Sequence, residues 1–228
     1  MTQTVTFARP DGKTCSGYYV EPAAGAAAPG VVVIQEWWGV NDQIRGVADR
    51  LSAAGYRVVV PDLYRGKMSL DAKEAEHLMG GLDFGDAAMH DIRGAVQYLK
   101  ASSPKVGVTG FCMGGALTVL SSAAAPEADA AVVWYGVPPL DYVDASKIHL
   151  PMQGHFAIED AFFPIAQADA LDEKLTAAKV PHEFFRYHAQ HAFANETAVN
   201  MPIPIQYDAT AADTAWQRTM SFFRAHLA

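Results

Sequence analysis

Six short apolar runs recur along the chain after residue 30, and no other sequence feature constrains the fold as strongly. Segments with helical spacing of apolar residues separate them, so strand-like and helix-like stretches alternate. This alternation is typical of a mostly parallel, buried sheet with helices on its faces, and we expect a single α/β domain over residues 1–228. The runs are VVVI (31–34), RVVV (57–60), VGVT (106–109), AAVVWY (130–135), PMQGH (151–155) and EFFRY (183–187).

The segment before these runs predicts an antiparallel hairpin at one edge of the sheet. The strand-like segments are VTF at 5–7 and GYYV at 17–20, and the turn sequence PDGK lies between them. Helices are predicted after the Asn41-Asp42 cap, around residues 92–99 and around residues 216–227, where apolar residues recur every three or four positions. Loops are predicted at 21–30 and 200–208, which are rich in proline or small residues.

Charge and cysteine content exclude several classes of function. The net charge is −8, and the 17 Lys and Arg residues are scattered, so we expect no nucleic-acid partner. Residues 1–13 lack the pattern of a secretion signal, and no apolar run is long enough to cross a bilayer. We therefore expect a cytoplasmic, monomeric protein without membrane contact. Its two cysteines are too few for a disulfide framework.

One of these cysteines, Cys112, lies in a strand–turn–helix sequence. The run VGVT leads into Gly110-Phe111-Cys112-Met113-Gly114-Gly115, and the helix-like ALTVLSSAAA follows. The nucleophile elbow of α/β-hydrolases needs small residues two positions before and after the nucleophile, and Gly110 and Gly114 meet that need. The amide of Met113, at a helix N-terminus, could stabilise an oxyanion. The alternative is a buried, inert cysteine.

A nucleophile of this kind needs an acid and a histidine later in the chain, on loops that follow strands. Asp160 meets the first requirement, because it follows the run at 151–155 and precedes the next helix-like segment. It is the candidate that would orient the base. The alternative acids are Glu159, Asp141 and Asp144.

His191 is the candidate base, since it follows the run at 183–187 and precedes the small, apolar sequence AFA. Most loop histidines are simply solvated, and the chain has eight histidines. His188 and His191 could also be read as two metal ligands, but no third ligand follows at a useful spacing. We therefore expect no metal and no cofactor.

Taken together, these segments resemble the dienelactone hydrolase family, also called carboxymethylenebutenolidases, within the α/β-hydrolase superfamily. The resemblance runs from VVVIQEWWGVNDQIRGVADRLSAAGYRVVVPDLYRGK through KVGVTGFCMGGAL and AVVWYGVPP to the Asp160 loop and HAFAN. It implies an α/β-hydrolase fold with about eight strands and no separate cap domain. It also implies that Cys112 is the nucleophile, Asp160 the acid and His191 the base.

The resemblance also gives a role to the glutamate at the end of VVVIQE, Glu36. It implies that this carboxylate interacts with the cysteine in the resting enzyme and rearranges when substrate binds, so that a reactive thiolate forms. Such a switch would protect the thiol from oxidation. The alternative is a surface glutamate paired with an arginine. The amide of Trp37 would be the second oxyanion donor, beside that of Met113.

Two departures from the family bear on the substrate. Members that act on dienelactone hold its carboxylate with a pair of arginines, but residues 68–92 contain no arginine, and the position after HAFA is Asn195. We expect hydrolysis of a small ester or lactone through an acyl-cysteine, with dienelactone a poor substrate. The alternatives are a ligand receptor without catalysis and a thiol-redox sensor on the same fold.

Overall fold

A computed structural model describes residues 2–23 and 27–228, and its centre is an eight-stranded sheet. The strand order is β1-β2-β4-β3-β5-β6-β7-β8. The eight strands are Thr2–Ala8 (β1), Thr14–Val20 (β2), Gly30–Ile34 (β3), Arg57–Pro61 (β4), Val106–Phe111 (β5), Ala130–Trp134 (β6), Met152–Ala157 (β7) and His182–Tyr187 (β8).

The sheet is parallel except at one edge. The strands β1 and β2 form the predicted antiparallel hairpin, and β2 pairs antiparallel with β4. The pairs from β4 through β8 are all parallel, so the α/β fold with eight strands is confirmed. In the predicted loop at 21–30, residues 24–26 lie outside the described residues, and Gly30 already belongs to β3.

Helices cover both faces of the sheet, which explains why its central strands are apolar on both sides. The helices α1 and α7 lie over one face, and α4, α5 and α6 over the other. Along β3, Val31 and Val33 contact the first group, whereas Val32 and Ile34 contact the second. The helices are Asp42–Ala53 (α1), Ala72–Gly80 (α2), Phe84–Asp86 (α3), Arg93–Lys100 (α4), Met113–Ala124 (α5), Ile165–Ala177 (α6) and Ala209–Leu227 (α7).

Local signals explain where most of these helices begin. The Asn41 side chain accepts a hydrogen bond of 3.0 Å from the amide of Ile44, as the predicted cap requires. The helix predicted around 92–99 starts earlier than expected, because a π-helical segment, Ala87–Ile92, leads directly into α4. None of the helices in the described part of the chain is long and apolar enough to cross a membrane.

Candidate active site

Four of the candidate residues follow the carboxyl ends of parallel strands and therefore meet at one edge of the sheet. Glu36 follows β3, Cys112 follows β5, Asp160 follows β7 and His191 follows β8. Cys112, Glu36 and His191 line the same cavity. The parallel pairing of these strands is what brings together residues that are far apart in the sequence.

The backbone at Cys112 has the strained geometry of a nucleophile elbow. Its φ and ψ are 56° and −117°, a conformation that non-glycine residues adopt rarely. Hydrogen bonds hold it there: its amide donates to the Trp134 carbonyl at 3.0 Å, and its carbonyl accepts from the Gly115 amide at 2.9 Å. The strand thus turns directly into α5 with Cys112 at the apex.

Glycines around this turn are required by close backbone contacts. A Cβ atom at Gly114 would lie 2.5 Å from the carbonyl oxygen of Ile34 and 2.6 Å from that of Gln35. At Gly110 a Cβ would collide with the Gly114 carbonyl, and at Gly136 with the Cys112 carbonyl. Helix α5 therefore begins in direct contact with the end of β3, where Glu36 follows.

A pair of glycine substitutions tests this requirement. We expect Gly114→Ala to destabilise the protein by about 2–3 kcal/mol, because the backbone oxygens that the methyl group meets cannot move away easily. Gly46→Ala is the matched control, since Gly46 lies within α1 with open space around it, and alanine should stabilise that helix by about 0.5–1 kcal/mol. Urea unfolding of both variants measures these changes, and equal stabilities would contradict the expectation.

His191 and Asp160 are joined by a buried hydrogen bond. The Nδ1 atom of His191 donates to Oδ2 of Asp160 at 2.8 Å. The other carboxylate oxygen accepts from the amides of Phe162 and Phe163, both at 2.8 Å. Each carboxylate oxygen therefore has a donor, which fixes the orientation of the imidazole. The three alternative acids, Glu159, Asp141 and Asp144, are exposed.

The charge on His191 depends on its neighbours. Burial acts to lower the pKa of His191, but Cys112 and Asp160 outweigh it and raise that pKa to about 10. The imidazole ring, which lies between the Cys112 sulfur and the Asp160 carboxylate, therefore stays protonated at neutral pH.

His188 lies apart from this arrangement, because its side chain is exposed whereas His191 is buried. Within residues 2–23 and 27–228, one group of side chains has ligand atoms close enough to hold a metal ion, and it includes neither histidine. Arg9 donates hydrogen bonds to both carboxylates of that group, which makes it an ion-pair cluster. Its members are Asp11, Asp86 and His90.

Glu36 is buried and held by two uncharged donors. Its Oε1 accepts from the Tyr135 hydroxyl at 3.2 Å, and its Oε2 accepts from the Asn195 amide nitrogen at 2.7 Å. In the described part of the chain it has neither an arginine partner nor a hydrogen bond to Cys112. Burial raises the pKa of Glu36, against the opposing effects of His191, Asn195 and Tyr135.

Tyr135 was not identified as a site residue from the sequence. Asn195 was noted there only as an uncharged replacement for arginine. Tyr135 is fully buried with a positive φ of 35°, and its ring contacts His191 edge to face at 5.2 Å. The residue follows β6 directly, and its position at a strand's carboxyl end was the signal that could have identified it.

The two amides expected to bind an oxyanion are available. Within the described residues, neither the Trp37 amide nor the Met113 amide donates to a protein acceptor. Met113 is the first residue of α5, where amides lack a partner inside the helix. Whether these amides bind an oxyanion stays a prediction.

A cavity of about 210 Å³ opens over Cys112 and His191, and most of its lining is aromatic or aliphatic. A larger and more open cleft of about 570 Å³ lies between the segment after β4 and α2, but neither Cys112 nor His191 lines it. The smaller cavity is therefore the one that coincides with the reactive groups. Its lining is Glu36, Trp37, Trp38, Met79, Cys112, Phe162, Phe163, His191, Ala192 and Ile205.

Comparisons with known proteins show the family of this chain. The model of the dienelactone hydrolase family matches residues 15–227. Protein usf of Aquifex pyrophilus is 33% identical over 241 residues, which span 100% of both chains. A Synechocystis protein named as a candidate carboxymethylenebutenolidase is 30% identical over 235 residues, covering 93% of this chain and 92% of that protein.

Solved structures of dienelactone hydrolase-like proteins have the same fold as this chain. A candidate dienelactone hydrolase of Klebsiella pneumoniae superposes with a TM-score of 0.84 at 25% identity, covering 99% of this chain and 100% of that chain. A dienelactone hydrolase-like promiscuous phosphotriesterase from metagenomic libraries superposes at 0.86 with 23% identity, covering 100% and 99%. The family match spans nearly the whole chain, and the relatives' names agree with it. This chain therefore belongs to the dienelactone hydrolase family, and it is a hydrolase of the ester and lactone class.

Proposed function

We propose that this chain hydrolyses small, neutral carboxylic esters or lactones through an acyl-cysteine intermediate. The observation that carries the proposal is the buried Asp160–His191 hydrogen bond beside Cys112, at the base of an apolar cavity. Three residues in this order, on loops after parallel strands, are what nucleophilic acyl transfer requires.

In the first half of the reaction, the Cys112 sulfur attacks the carbonyl carbon of the substrate. The carbonyl electrons move to its oxygen, and the amides of Trp37 and Met113 donate hydrogen bonds to that oxyanion. When the tetrahedral intermediate collapses, the bond to the alcohol oxygen breaks and His191 gives its proton to the leaving group. A thioester on Cys112 remains.

In the second half, water hydrolyses the thioester. His191, now neutral, takes a proton from the water as its oxygen attacks the acyl carbon, and Asp160 stabilises the imidazolium that forms. Collapse of the second tetrahedral intermediate releases the acid and returns the electron pair to the Cys112 sulfur. The thiolate and the imidazolium are then restored, and no cofactor takes part in any step.

The cavity lining favours a neutral acyl group over a carboxylate. No lysine or arginine is among the residues that line it. Trp37, Trp38 and Phe162 instead offer broad apolar contacts. A volume of about 210 Å³ suits a compact acyl group.

Two esters of similar shape test this preference. We expect kcat/KM for 4-nitrophenyl butyrate to exceed that for mono-4-nitrophenyl succinate at least ~10-fold, because a carboxylate entering this cavity would lose its hydration without finding a lysine or arginine to pair with. Dienelactone, which also carries a carboxylate, should be equally poor. Equal or faster turnover of the anionic ester would contradict the substrate class, and no turnover of any ester would contradict the activity.

A further inference from the structure

We infer that Asn195 is a positioning residue that holds Glu36 away from Cys112, so that Cys112 is paired with His191 and reactive before any substrate binds. The inference deepens the proposed function and rests on it in one respect, which is that Cys112 is the nucleophile. It differs from the gated arrangement that the family resemblance implies, in which the glutamate engages the cysteine until substrate arrives.

The orientation of the Asn195 amide follows from its other hydrogen bonds. Its Oδ1 accepts from the Thr197 amide at 3.0 Å and from the Thr197 hydroxyl at 2.7 Å. Reversing the side chain would turn its NH₂ group towards the Thr197 amide donor, so Nδ2 must face Glu36. Asn195 is 1% exposed, and water does not compete for this contact.

The backbone around Asn195 ties this contact to the histidine loop. Its amide donates to the Ala192 carbonyl at 2.8 Å, and its carbonyl accepts from the Ala198 amide at 2.9 Å. Ala192 directly follows His191, so the residue that holds Glu36 and the candidate base share one short, hydrogen-bonded segment.

Moving Glu36 towards Cys112 would break good contacts. Both of its oxygens already accept hydrogen bonds, one from Asn195 and one from Tyr135. Asn195 and Tyr135 are both buried, so each would be left with an unpaired buried donor if the carboxyl group rotated away. The arrangement with Glu36 apart from Cys112 is therefore favoured in the free enzyme.

The titratable groups near Cys112 also favour a reactive sulfur when Glu36 is held apart from it. The titratable groups that face Cys112 or His191 are Glu36, Asp160, Tyr64 and Tyr135. Burial raises the pKa of both tyrosines, so these phenols stay neutral. Burial also raises the pKa of Glu36, which reduces the negative charge that would oppose a thiolate. His191 and the N-terminus of α5 supply the positive charge.

Alkylation by iodoacetamide without substrate tests the inference. The measurements use a Cys15→Ser background, so that Cys112 is the one thiol; Cys15 is buried and its pKa is raised to about 12, mainly by burial. We expect the alkylation rate to change less than about threefold between pH 8 and pH 6. An ordinary thiol would lose roughly tenfold in rate for each pH unit over this range.

Variants of Asn195 and Glu36 then separate a positioning role from a structural one. In Asn195→Ala, Glu36 is free to reach Cys112, and the alkylation rate at pH 6 should fall at least ~10-fold. Adding Glu36→Gln to this variant should restore the rate, because no carboxylate then remains to approach the sulfur. If Asn195 only supports the loop, the double variant will stay as slow as Asn195→Ala. Thermal unfolding by circular dichroism checks that each variant is folded.

The alkylation experiment tests the inference about Asn195, and the esterase assays test the proposed function, so each can fail without the other. A parent alkylation rate that falls tenfold per pH unit below pH 8 would overturn the inference, even if esters are hydrolysed well. Failure of Glu36→Gln to rescue Asn195→Ala would also overturn it. Esterase activity without Cys112 would instead overturn the proposed function, whatever the alkylation rates.

Discussion

Replacing Cys112 with alanine is expected to lower kcat for 4-nitrophenyl butyrate at least about 10³-fold, because the proposed mechanism forms its covalent intermediate on the Cys112 sulfur. Intact-mass spectrometry after brief exposure to the ester should show an added acyl group on the parent protein and none on the variant. The two measurements together separate loss of the nucleophile from loss of binding.

The fold should survive this substitution. The Cys112 side chain caps no helix, and alanine needs no more space at the turn than cysteine does. Cys15→Ser is the matched control, since Cys15 is a buried thiol on β2, far in sequence from the elbow, and its activity should stay within twofold of the parent. More than a few per cent of parental activity in Cys112→Ala would exclude Cys112 as the nucleophile.

The second large effect is expected from Asp160→Asn, which should lower kcat about 10²–10⁴-fold. Asparagine can still accept from the amides of Phe162 and Phe163, so the loop keeps its hydrogen bonds. It carries no charge to stabilise the imidazolium of His191, and its NH₂ group can turn towards Nδ1 and select the wrong tautomer. Steady-state kinetics with 4-nitrophenyl butyrate measure the loss.

Glu159→Gln provides the control for this variant, because Glu159 is the adjacent acid and is exposed to solvent. Its kcat should remain within twofold of the parent. If Asp160→Asn keeps more than a tenth of the parental kcat, then His191 does not depend on this carboxylate and the assignment of the acid is wrong.

Most of the sheet was predictable from the sequence, because a strand buried on both faces must be apolar along its whole length. All eight predicted strands are present, and their ends either coincide with the prediction or differ from it by up to three residues. The helix α2 was not predicted, and the reason is physical: Ala75 is its one buried residue, so no apolar stripe marks it. Its residue Met79 nevertheless lines the cavity over Cys112.

The candidate site was predictable to a similar extent. The order of Cys112, Asp160 and His191 along the chain follows from loops after successive parallel strands, and the structure brings Asp160 and His191 into hydrogen-bond contact. Their catalytic roles remain predictions for the variants described above. The sequence left Glu159, Asp141 and Asp144 as alternatives, because solvent exposure cannot be read from a loop sequence alone.

A tight turn needs small residues at positions close by in the sequence. Gly110 and Gly114 therefore made the turn at Cys112 recognisable before the fold was known. The surroundings of Glu36 could not be predicted in this way, because its partners are not neighbours in the sequence. Its partners Tyr135 and Asn195 lie 99 and 159 residues away along the chain. They meet Glu36 because the order of the parallel strands places the ends of β3, β6 and β8 at one edge of the sheet. Contacts that depend on strand order leave no local pattern, and so the state of Glu36 became visible only in the assembled fold.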